Sequence, residues 1–461
     1  MKLWFVSRWE SLRGSFWFLP TVMVAGAMAL SLFTLRLDRA TPDYSPLAAM
    51  GWTFAQGPEG SRAVLAAVVG SMMGITSVTF SIMIVALQLA SSQFGPRLLR
   101  NFMRDRGSQA ALGTFLATFT YCLLILRTVN GAEGERFVPN TSVTVGLGLA
   151  LASLGVFIFF IHHAAASIQA ENIISSVSRE LDRAIDRLYP EGTGDEAEDP
   201  RDGGRDVPEA FDREAEPVAS RSSDYLQAVD LDGLMALAVE RDLIISIPSR
   251  PGKFVFEGGE LALAWPPGRL RDGDADAIRA AFYLGARRSP TQDVEFAIDQ
   301  LVEVALRAAP NDPFTVINCI DRIGAGLCRL AARRMPSPYR HDGEGRLRLI
   351  ADRSTAAGIV DAAFNQIRQA TREDAAVSLR LLECIASVGR RARNPEMIAA
   401  LRRQAELIHH GAVAGLAEAA DRSDADSRYV RALRSLVPAK SPPGEVGEDA
   451  DGAATSPAPG R

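Results

Sequence analysis

The sequence has few of the residues from which chemical sites are usually built. It holds four cysteines and five histidines among 461 residues. The cysteines are scattered and no pair has the spacing of metal ligands, so neither a zinc site nor a disulfide framework is expected. A nucleophile elbow, a phosphate-binding glycine loop and a kinase signature are also missing from the sequence. We therefore expect no metal, no cofactor and no catalytic residue, and an enzyme has no support.

Positive charge comes almost entirely from arginine. Only three of the 50 basic residues are lysine, a bias typical of bacterial genomes rich in G and C. Residues 1–189 hold 15 basic and 11 acidic side chains, whereas the remainder holds 35 and 44. Because the second part is acidic and has no strongly basic patch, a nucleic-acid partner is not expected.

Long apolar runs are present in the first 163 residues. A helix needs about 20 apolar residues to cross a hydrocarbon core of about 30 Å. Four uncharged stretches approach or exceed that length: residues 16–35, 63–90, 110–126 and 143–161. The first is longer than the core of a signal peptide, so we interpret it as an uncleaved span. The pattern predicts a multi-pass protein of the lipid bilayer.

Arginine predicts the orientation of these spans. Arg97, Arg100, Arg104 and Arg106 crowd the short loop between the second and third spans. The next loop, residues 127–140, balances two arginines with two glutamates. By the positive-inside rule, both termini are expected in the cytosol, with the spans in a bacterial inner membrane. His162 and His163 then lie at the cytosolic end of span four, where we expect them to be solvated.

The sequence after the spans changes character several times. Residues 190–220 contain 11 acidic and three basic residues, too polar for a core. "YLQAV", "LIISIP", "KFVF" and "LALAW" read as strands, and Asp230 as the cap of a short helix between the first two. The predicted fold class is mainly α. The expected parts are a four-span transmembrane domain (1–163), a cytosolic stalk helix (164–189), an acidic disordered linker (190–224), a small β-rich module (225–270), a helical cytosolic domain (271–437) and a disordered tail (438–461).

The stalk helix carries a short heptad seam. Ile174, Val177, Leu181, Ala184 and Leu188 step by three, four, three and four residues, the spacing of a coiled-coil seam. Two heptads are few. The seam therefore either mediates self-association or packs on a neighbouring helix of the same chain.

The second span has an unusual polar face. On a helical wheel with about 100° per residue, one face carries Gly70, Gly74, Ser77, Ser81, Ile84, Gln88, Ser91 and Ser92. The glycines form a Gly-x-x-x-Gly pattern, so the face is either a close helix contact or the wall of a water-filled path around an oligomer axis. In the second case Ser77 and Ser81 wet the outer half and Gln88 and Ser92 the inner half. Ile84 then forms a constriction that gates by dewetting.

Two motifs resemble one family of bacterial membrane proteins, catalogued as domain of unknown function 2254. They are "SVTFSIMIVALQLASSQFGPRLLRNFMRDRGSQAALGTFLATFTYCLLILRTV" (residues 77–129) and "RSPTQDVEFAIDQLVEVALRAAPNDPFTVINCIDRI" (residues 288–323). The resemblance covers nearly the whole chain and implies the membrane topology but no established activity. The family usually has a longer turn before Asn-Asp-Pro-Phe-Thr, where this chain has only Ala309 and Pro310. The second motif supplies the signature positions Arg288, Gln292, Asp293, Asn311, Asp312 and Pro313.

The second motif predicts a helical hairpin. In "SPTQ" Ser289 is the expected N-cap, Pro290 the first helical residue and Gln292 the partner of a capping box. In "NDPF" Asp312 is the expected cap and Pro313 the first helical residue. Between them Glu295, Asp299 and Glu303 share one face, which we interpret as solvated rather than metal-binding because no histidine accompanies them.

Three functional hypotheses remain from the sequence. The first is a homo-oligomeric ion channel or pore, lined by span two and regulated by its cytosolic part. The absence of Asp, Glu and Lys within the spans argues against a proton-coupled transporter. The second is a non-conducting scaffold or sensor whose cytosolic helices bind a protein or a small ligand. The third, a membrane-bound enzyme, is the weakest.

Overall fold

The chain folds into an N-terminal bundle of long apolar helices followed by a mixed soluble part. The computed structural model describes residues 16–40, 57–94, 105–129, 137–167, 169–189 and 206–437. Four of its helices are long and apolar enough to cross a membrane. They are α1 (Phe18–Ala40), α2 (Pro58–Phe94), α3 (Arg106–Thr128) and α4 (Asn140–Ser167). The prediction of a mainly α protein with four spans is confirmed.

The four helices alternate in direction. A Cβ atom on Gly113 of α3 would lie 2.5 Å from Met23 Sδ of α1. Further along both helices, the hydroxyls of Thr34 and Tyr121 are 2.9 Å apart. Because the residue numbers rise together, α1 and α3 are parallel. Helix α2 runs in the opposite direction, because Arg62 at its start donates to the carbonyl of Val129, just after the end of α3, at 2.7 Å.

A buried carboxylate joins α1 to the start of α4. Asp38 accepts hydrogen bonds from the backbone N–H groups of Thr141 and Ser142, both at 3.0 Å. It also accepts from the Ser142 hydroxyl at 2.6 Å. The first N–H groups of a helix have no partner within the helix, and the helix dipole favours negative charge there. Asp38 is therefore a structural cap for the start of α4.

The second span continues into the soluble part without a break. It is a single helix of 37 residues. Ala90, near its C-terminal end, is buried in the main hydrophobic core of the soluble helices. Arg307, an exposed residue of the helix that begins at Val294, also donates to the Ser92 carbonyl at 3.3 Å. The excess length of this helix thus serves to attach the bundle to the soluble part.

The stalk helix is buried within the chain. It is α5 (Ala170–Leu188), and residues 164–167 belong to α4, so the predicted start at residue 164 is wrong. Ile174, Val177, Leu181 and Ala184 are all buried in the soluble core. Leu181 packs so closely on Gly326 that a Cβ there would lie 2.5 Å from Leu181 Cδ2. Of the two alternatives for the seam, packing within the chain is the one observed, which leaves these side chains unavailable for self-association.

The β-rich module consists of two small sheets. Its elements are α6 (Phe211–Glu214), β1 (Glu216–Ala219), β2 (Asp224–Val229), α7 (Leu231–Arg241), β3 (Ile244–Ile247), β4 (Phe254–Val255), β5 (Glu260–Trp265), α8 (Asp274–Ala280) and β6 (Phe282–Gly285), joined by β7 (Tyr339–His341) and β8 (Leu347–Ala351). One sheet has the order β1-β5-β3-β8-β7 and the other β4-β2-β6. Strands β3 and β8 are parallel, and the other pairs are antiparallel.

Two predicted boundaries of this module are wrong. Residues 206–224, assigned to the linker, contain α6 and strand β1, and the side chains of Phe211 and Val218 are buried. Strand β6 and the hairpin β7–β8 were assigned to the helical domain, but β6 belongs to the three-stranded sheet and the hairpin completes the five-stranded one. Residues 190–205 of the predicted linker, the arginine loop at 97–104 and the predicted tail at 438–461 lie outside the described residues.

Six helices form the soluble helical domain. They are α9 (Val294–Ala308), α10 (Pro313–Ala331), α11 (Ala356–Ala370), α12 (Ala375–Gly389), α13 (Pro395–Gly415) and α14 (Ala419–Ser435). Together with α5 they enclose one large apolar core. Since α2 and α5 both enter this core, the helical domain is joined to the membrane bundle at two points.

Candidate functional site

The polar face of α2 lies on the outside of the helix bundle. Gly70, Gly74, Ser77, Ser81, Gln88 and Ser92 are exposed, Ser91 is half-buried, and Ile84 is 61% exposed. A Cβ atom on Gly70 or Gly74 would meet nothing within 4 Å. The opposite face of α2, with Met72, Met83 and Ala86, is the one buried against the other spans. The Gly-x-x-x-Gly pattern is therefore not a helix contact within the described part of one chain.

The polar groups on this face differ in whether they have a partner. The Ser77 hydroxyl donates to the Met73 carbonyl at 3.0 Å, and the Ser92 hydroxyl donates to the Leu89 carbonyl at the same distance. Ser81 and Gln88 make no side-chain hydrogen bond to any residue that the structure describes. A primary amide facing hydrocarbon without a partner costs several kcal/mol, about 2–7. Gln88 thus needs water, lipid headgroups or another protein beside it.

Gln88 and Ser92 lie beside the soluble part of the chain. Ala90, two residues after Gln88, is already part of the soluble core, so both residues lie where the bundle meets the soluble part. Ile84 is one helical turn before Gln88, and Ser77 and Ser81 lie further from the soluble part along α2. Any constriction at Ile84 would sit at the mouth of a path, next to the soluble domain.

The signature residues of the second motif form a buried ionic junction. Asp293 is 2% exposed and accepts from Arg288 Nε at 3.0 Å and Nη2 at 2.7 Å. Arg288 Nη1 donates to Asp299 at 2.6 Å. Burial opposes the charge on Arg288, but the attraction of Asp293 and Asp299 is stronger and raises the pKa of the guanidinium. This geometry holds Arg288 as a fixed cation between α9 and the segment before it.

Gln292 and Asp293 connect this junction to the β module. The Gln292 side-chain amide donates to the Val229 carbonyl at 3.1 Å and accepts from the Val229 N–H at 3.0 Å, at the end of strand β2. Asp293 accepts from the Phe296 N–H at 3.1 Å and is the N-cap of α9. Gly252 lies against it with a φ of 94°, and a Cβ there would be 2.1 Å from the carboxylate.

The predicted start of this helix is wrong. Helix α9 begins at Val294, not at Pro290, and Ser289 bonds to the Thr291 hydroxyl at 2.7 Å instead of capping a helix. The physical reason is tertiary. The Gln292 side chain is bonded to the backbone of Val229 and Asp293 caps the helix, so the helix begins only after Asp293. The interpretation of a solvated acidic face is wrong for two of its three residues, because Glu295 pairs with Arg250 at 2.9 Å and Asp299 with Arg288. Glu303 pairs within its own helix, with Arg307 at 3.5 Å.

The second half of the motif starts α10 as predicted. Asp312 accepts from the Thr315 N–H at 3.1 Å, and Pro313 is the first helical residue. Asn311 is exposed and its N–H donates to the Ala308 carbonyl at 3.0 Å, which closes the short turn. Since Arg307, just before this turn, bonds to the end of α2, the turn lies at the face of the helical domain that meets the bundle.

A contact between α4 and the start of α3 was not predicted from the sequence. His163 Nε2 lies 2.7 Å from Asp105 Oδ2, and its ring stacks on Phe159. Asp105 is also the N-cap of α3, where it accepts from the Ser108 N–H at 2.8 Å. The expectation that His163 is solvated is wrong. An Asp before an apolar run was a readable cap signal, but its pairing with a histidine 58 residues away was not.

Most of the chain is similar to one family of known proteins. Residues 13–387 match the family described as predicted membrane protein (DUF2254). The chain belongs to the DUF2254 family. The match includes all four spans, the α2 face and the ionic junction, and it ends within α12.

Relatives of this DUF2254 protein occur in mycobacteria. A protein of Mycobacterium bovis and one of Mycobacterium tuberculosis are each 31% identical over 422 residues, which cover 90% of this chain and 79% of the relative. Both are described only as uncharacterized proteins. No solved structure matches the chain. The similarity therefore establishes the family and its membrane character, and the functional argument depends on the residues.

Proposed function

We propose that this DUF2254 protein is a homo-oligomeric channel or pore of the bacterial inner membrane, in which the α2 helices of several copies surround a common axis. The observation that carries the proposal is the outward position of the polar α2 face. Two glycines, two hydroxyls at membrane depth and the Gln88 amide all point away from the bundle of their own chain. The hydrocarbon of the bilayer offers no hydrogen bonds to Ser81, whereas water along an axis does.

The attachment of α2 to the soluble core supports regulation of that path. Helix α2 runs from the far end of the bundle to Ala90 in the soluble core without interruption. A displacement of the helical domain would therefore move Ile84 and Gln88 directly. We place the soluble domain and both termini in the cytosol, because arginines crowd the loop between α2 and α3. The domain is then positioned to respond to a cytosolic ligand or protein.

The decisive experiment compares two exposed apolar positions. Ile84 in α2 is 61% exposed and Leu151 in α4 is 66% exposed, so replacement by serine removes similar contacts within the chain at both. Reconstituted in liposomes, Ile84→Ser should raise ion leak, because a hydroxyl removes the dewetting barrier of a constriction. Leu151→Ser should leave the leak at the level of the unchanged protein. Proteoliposomes of Ile84→Ser that stay ion-tight while the melting temperature falls would overturn the proposal.

The second candidate is a non-conducting scaffold or sensor in which α2 faces touch without water between them. It is favoured by the shortness of the polar stripe, since only Ser77 and Ser81 supply hydroxyls at membrane depth and Ser77 is already bonded to its own helix. Gly74→Leu separates the two. In a dry contact a leucine breaks close packing and dissociates the oligomer. In a wide path it narrows the lumen, and the oligomer mass in native detergent analysis is unchanged.

A further inference from the structure

A cavity lies where the stalk helix, the β module and the helical domain meet. Its volume is about 240 Å³. The stalk contributes Arg187 and Tyr189, the β module contributes Arg250, the β7 strand contributes Arg340, and the segment after β8 contributes Arg353. It is separate from the α2 face and from the Arg288 junction, although Gln292 borders both the junction and the cavity.

Four of the side chains that line this cavity are arginines, and only two of them are engaged. Arg250 pairs with Glu295 at 2.9 Å, and Arg187 donates to the Pro290 carbonyl at 2.8 Å. Arg340 and Arg353 make no ion pair or side-chain hydrogen bond to any residue in the described part of the chain. The carboxylate in the lining is that of Asp352, which is exposed. The cavity therefore has an excess of fixed positive charge.

The electrostatics of the cavity favour an anion. Burial, together with the repulsion from Arg340, lowers the pKa of Arg353 to about 10. Buried like charges raise the free energy of the folded chain unless a counter-charge enters. The Tyr189 hydroxyl has no hydrogen-bond partner among the described residues either. Two guanidinium groups and a hydroxyl are thus held ready to donate, and nothing in the described chain accepts from them.

We propose that this cavity binds a diphosphate group. A guanidinium presents its N–H groups in a planar fork that matches phosphate oxygens, and several forks around one cavity suit a ligand with more than one phosphate. The cavity volume of about 240 Å³ leaves room for a group of the size of a diphosphate.

The cavity lies far along the stalk helix from the last span, so the proposal commits to a soluble diphosphate and not to a lipid headgroup. Arg187 and Tyr189 lie near the C-terminal end of α5, and about 26 Å of helix separates Arg187 from the start of α5, which follows the last span. A bound diphosphate would join the stalk to the β module and to the helical domain. Arg187 already links the stalk to Pro290, and Arg250 links the β module to α9. Binding of the diphosphate would tighten the element that leads into α4, whatever the activity of the membrane domain.

Calorimetric titration of the full-length protein in detergent with inorganic pyrophosphate tests the proposal. We expect saturable binding that the double change Arg340→Gln with Arg353→Gln weakens at least about tenfold. The double variant should melt at the same temperature as the unchanged protein or higher, because it removes a repulsion. Arg372→Gln, in an exposed pair with Glu373 far along the chain, is the matched control and should bind as the unchanged protein does.

A further arm of the titration identifies the source of the diphosphate. Tighter binding of ADP than of pyrophosphate would place the group on a nucleotide, and equal binding would show recognition of the diphosphate alone; either supports the site. Absence of saturable binding by the unchanged protein, or equal binding by the double variant, would overturn the proposal.

Discussion

Helices α2 and α3 both carry many polar residues, but they use them differently. In the apolar stretch of 18 residues within each helix, 50% of the residues of α3 are buried, against 22% of those of α2. In α3 the Thr118 hydroxyl lies 2.9 Å from that of Ser153, and Tyr121 donates to the Ser142 carbonyl at 3.0 Å. In α2 the polar stripe faces outward and Ser81 and Gln88 have no partner among the described residues. Polarity in α3 thus holds one chain together, whereas polarity in α2 requires something outside it.

The largest expected difference between the two helices concerns apolar volume. Phe115 of α3 is fully buried among Met83, Phe160 and their neighbours. Phe115→Ala should lower the free energy of unfolding by about 3–5 kcal/mol, because it leaves a cavity at the centre of the bundle. Ile84→Ala in α2 should change it by at most about 0.5 kcal/mol. The measurement is unfolding of single copies in a dissociating detergent. Equal losses at the two positions would show that the α2 face is packed inside one chain.

The cap at the far end of the bundle should give the next largest effect. Asp38→Ala leaves the N–H groups of Thr141 and Ser142 without an acceptor at the buried start of α4. Loss of a charged acceptor from buried donors costs about 1.5–3 kcal/mol. Glu59→Ala, at an exposed position in the first turn of α2, is the control and should change stability by about 0.5 kcal/mol or less. A similar loss in both variants would mean that the carboxylate of Asp38 stabilises α4 by charge alone, without the hydrogen bonds.

A matched pair of hydroxyl deletions sharpens the comparison further. Thr118→Val removes the hydrogen bond to Ser153 between α3 and α4 and should cost about 1 kcal/mol. Ser81→Val in α2 breaks no contact within the described chain, so single copies should unfold as before. If α2 lines an aqueous path, Ser81→Val should instead lower conductance in liposomes. A loss of single-copy stability in Ser81→Val as large as in Thr118→Val would contradict the assignment of the two faces.

The sequence predicted the parts of this molecule that depend on neighbouring residues. The four spans, the caps Asp230 and Asp312, and the strands around "YLQAV" and "LALAW" were readable because hydropathy, period and capping are local signals. The sequence also showed that α2 has a polar face. It could not show on which side of α2 the rest of the bundle packs, since that depends on where Met72 and Met83 find partners.

Other features could not be predicted from the sequence, because they depend on contacts between segments that are far apart in the chain. Strand β1 was hidden by the acidic residues around it, although Pro217–Val218–Ala219 pairs with β5 in the sheet. The β7–β8 hairpin joins a sheet whose other strands precede it by some 75 residues or more. The arginine cavity gives no motif at all, because Arg187, Arg250 and Arg340 come from three separate elements. Such sites become visible only when the tertiary structure brings like charges together.

The smallest expected effect is a pH dependence at the start of α3. Burial raises the pKa of Asp105, but hydrogen bonds from Ser108 and contact with His163 outweigh it, so the pKa is lower than its ordinary value of 3.8. A carboxyl whose pKa is lower in the folded state binds protons more readily when unfolded. Its contribution to stability is therefore complete above about pH 4 and is lost as the pH falls through the folded-state value.

Asp105→Asn tests this contribution, because asparagine can still cap α3 but cannot ionise. Between pH 6 and pH 3 the melting temperature of the unchanged protein should fall more steeply than that of the variant, and the two curves should approach each other at the acidic end. Gln88→Leu, near the end of α2, is the control. It changes no ionisable group and should leave the slope of melting temperature against pH unaltered. Parallel melting curves for Asp105→Asn and the unchanged protein would mean that the Asp105–His163 contact adds no stability beyond that of the cap. The start of α3 would then gain as little stability from α4 as the outer face of α2 gains from the rest of its own bundle.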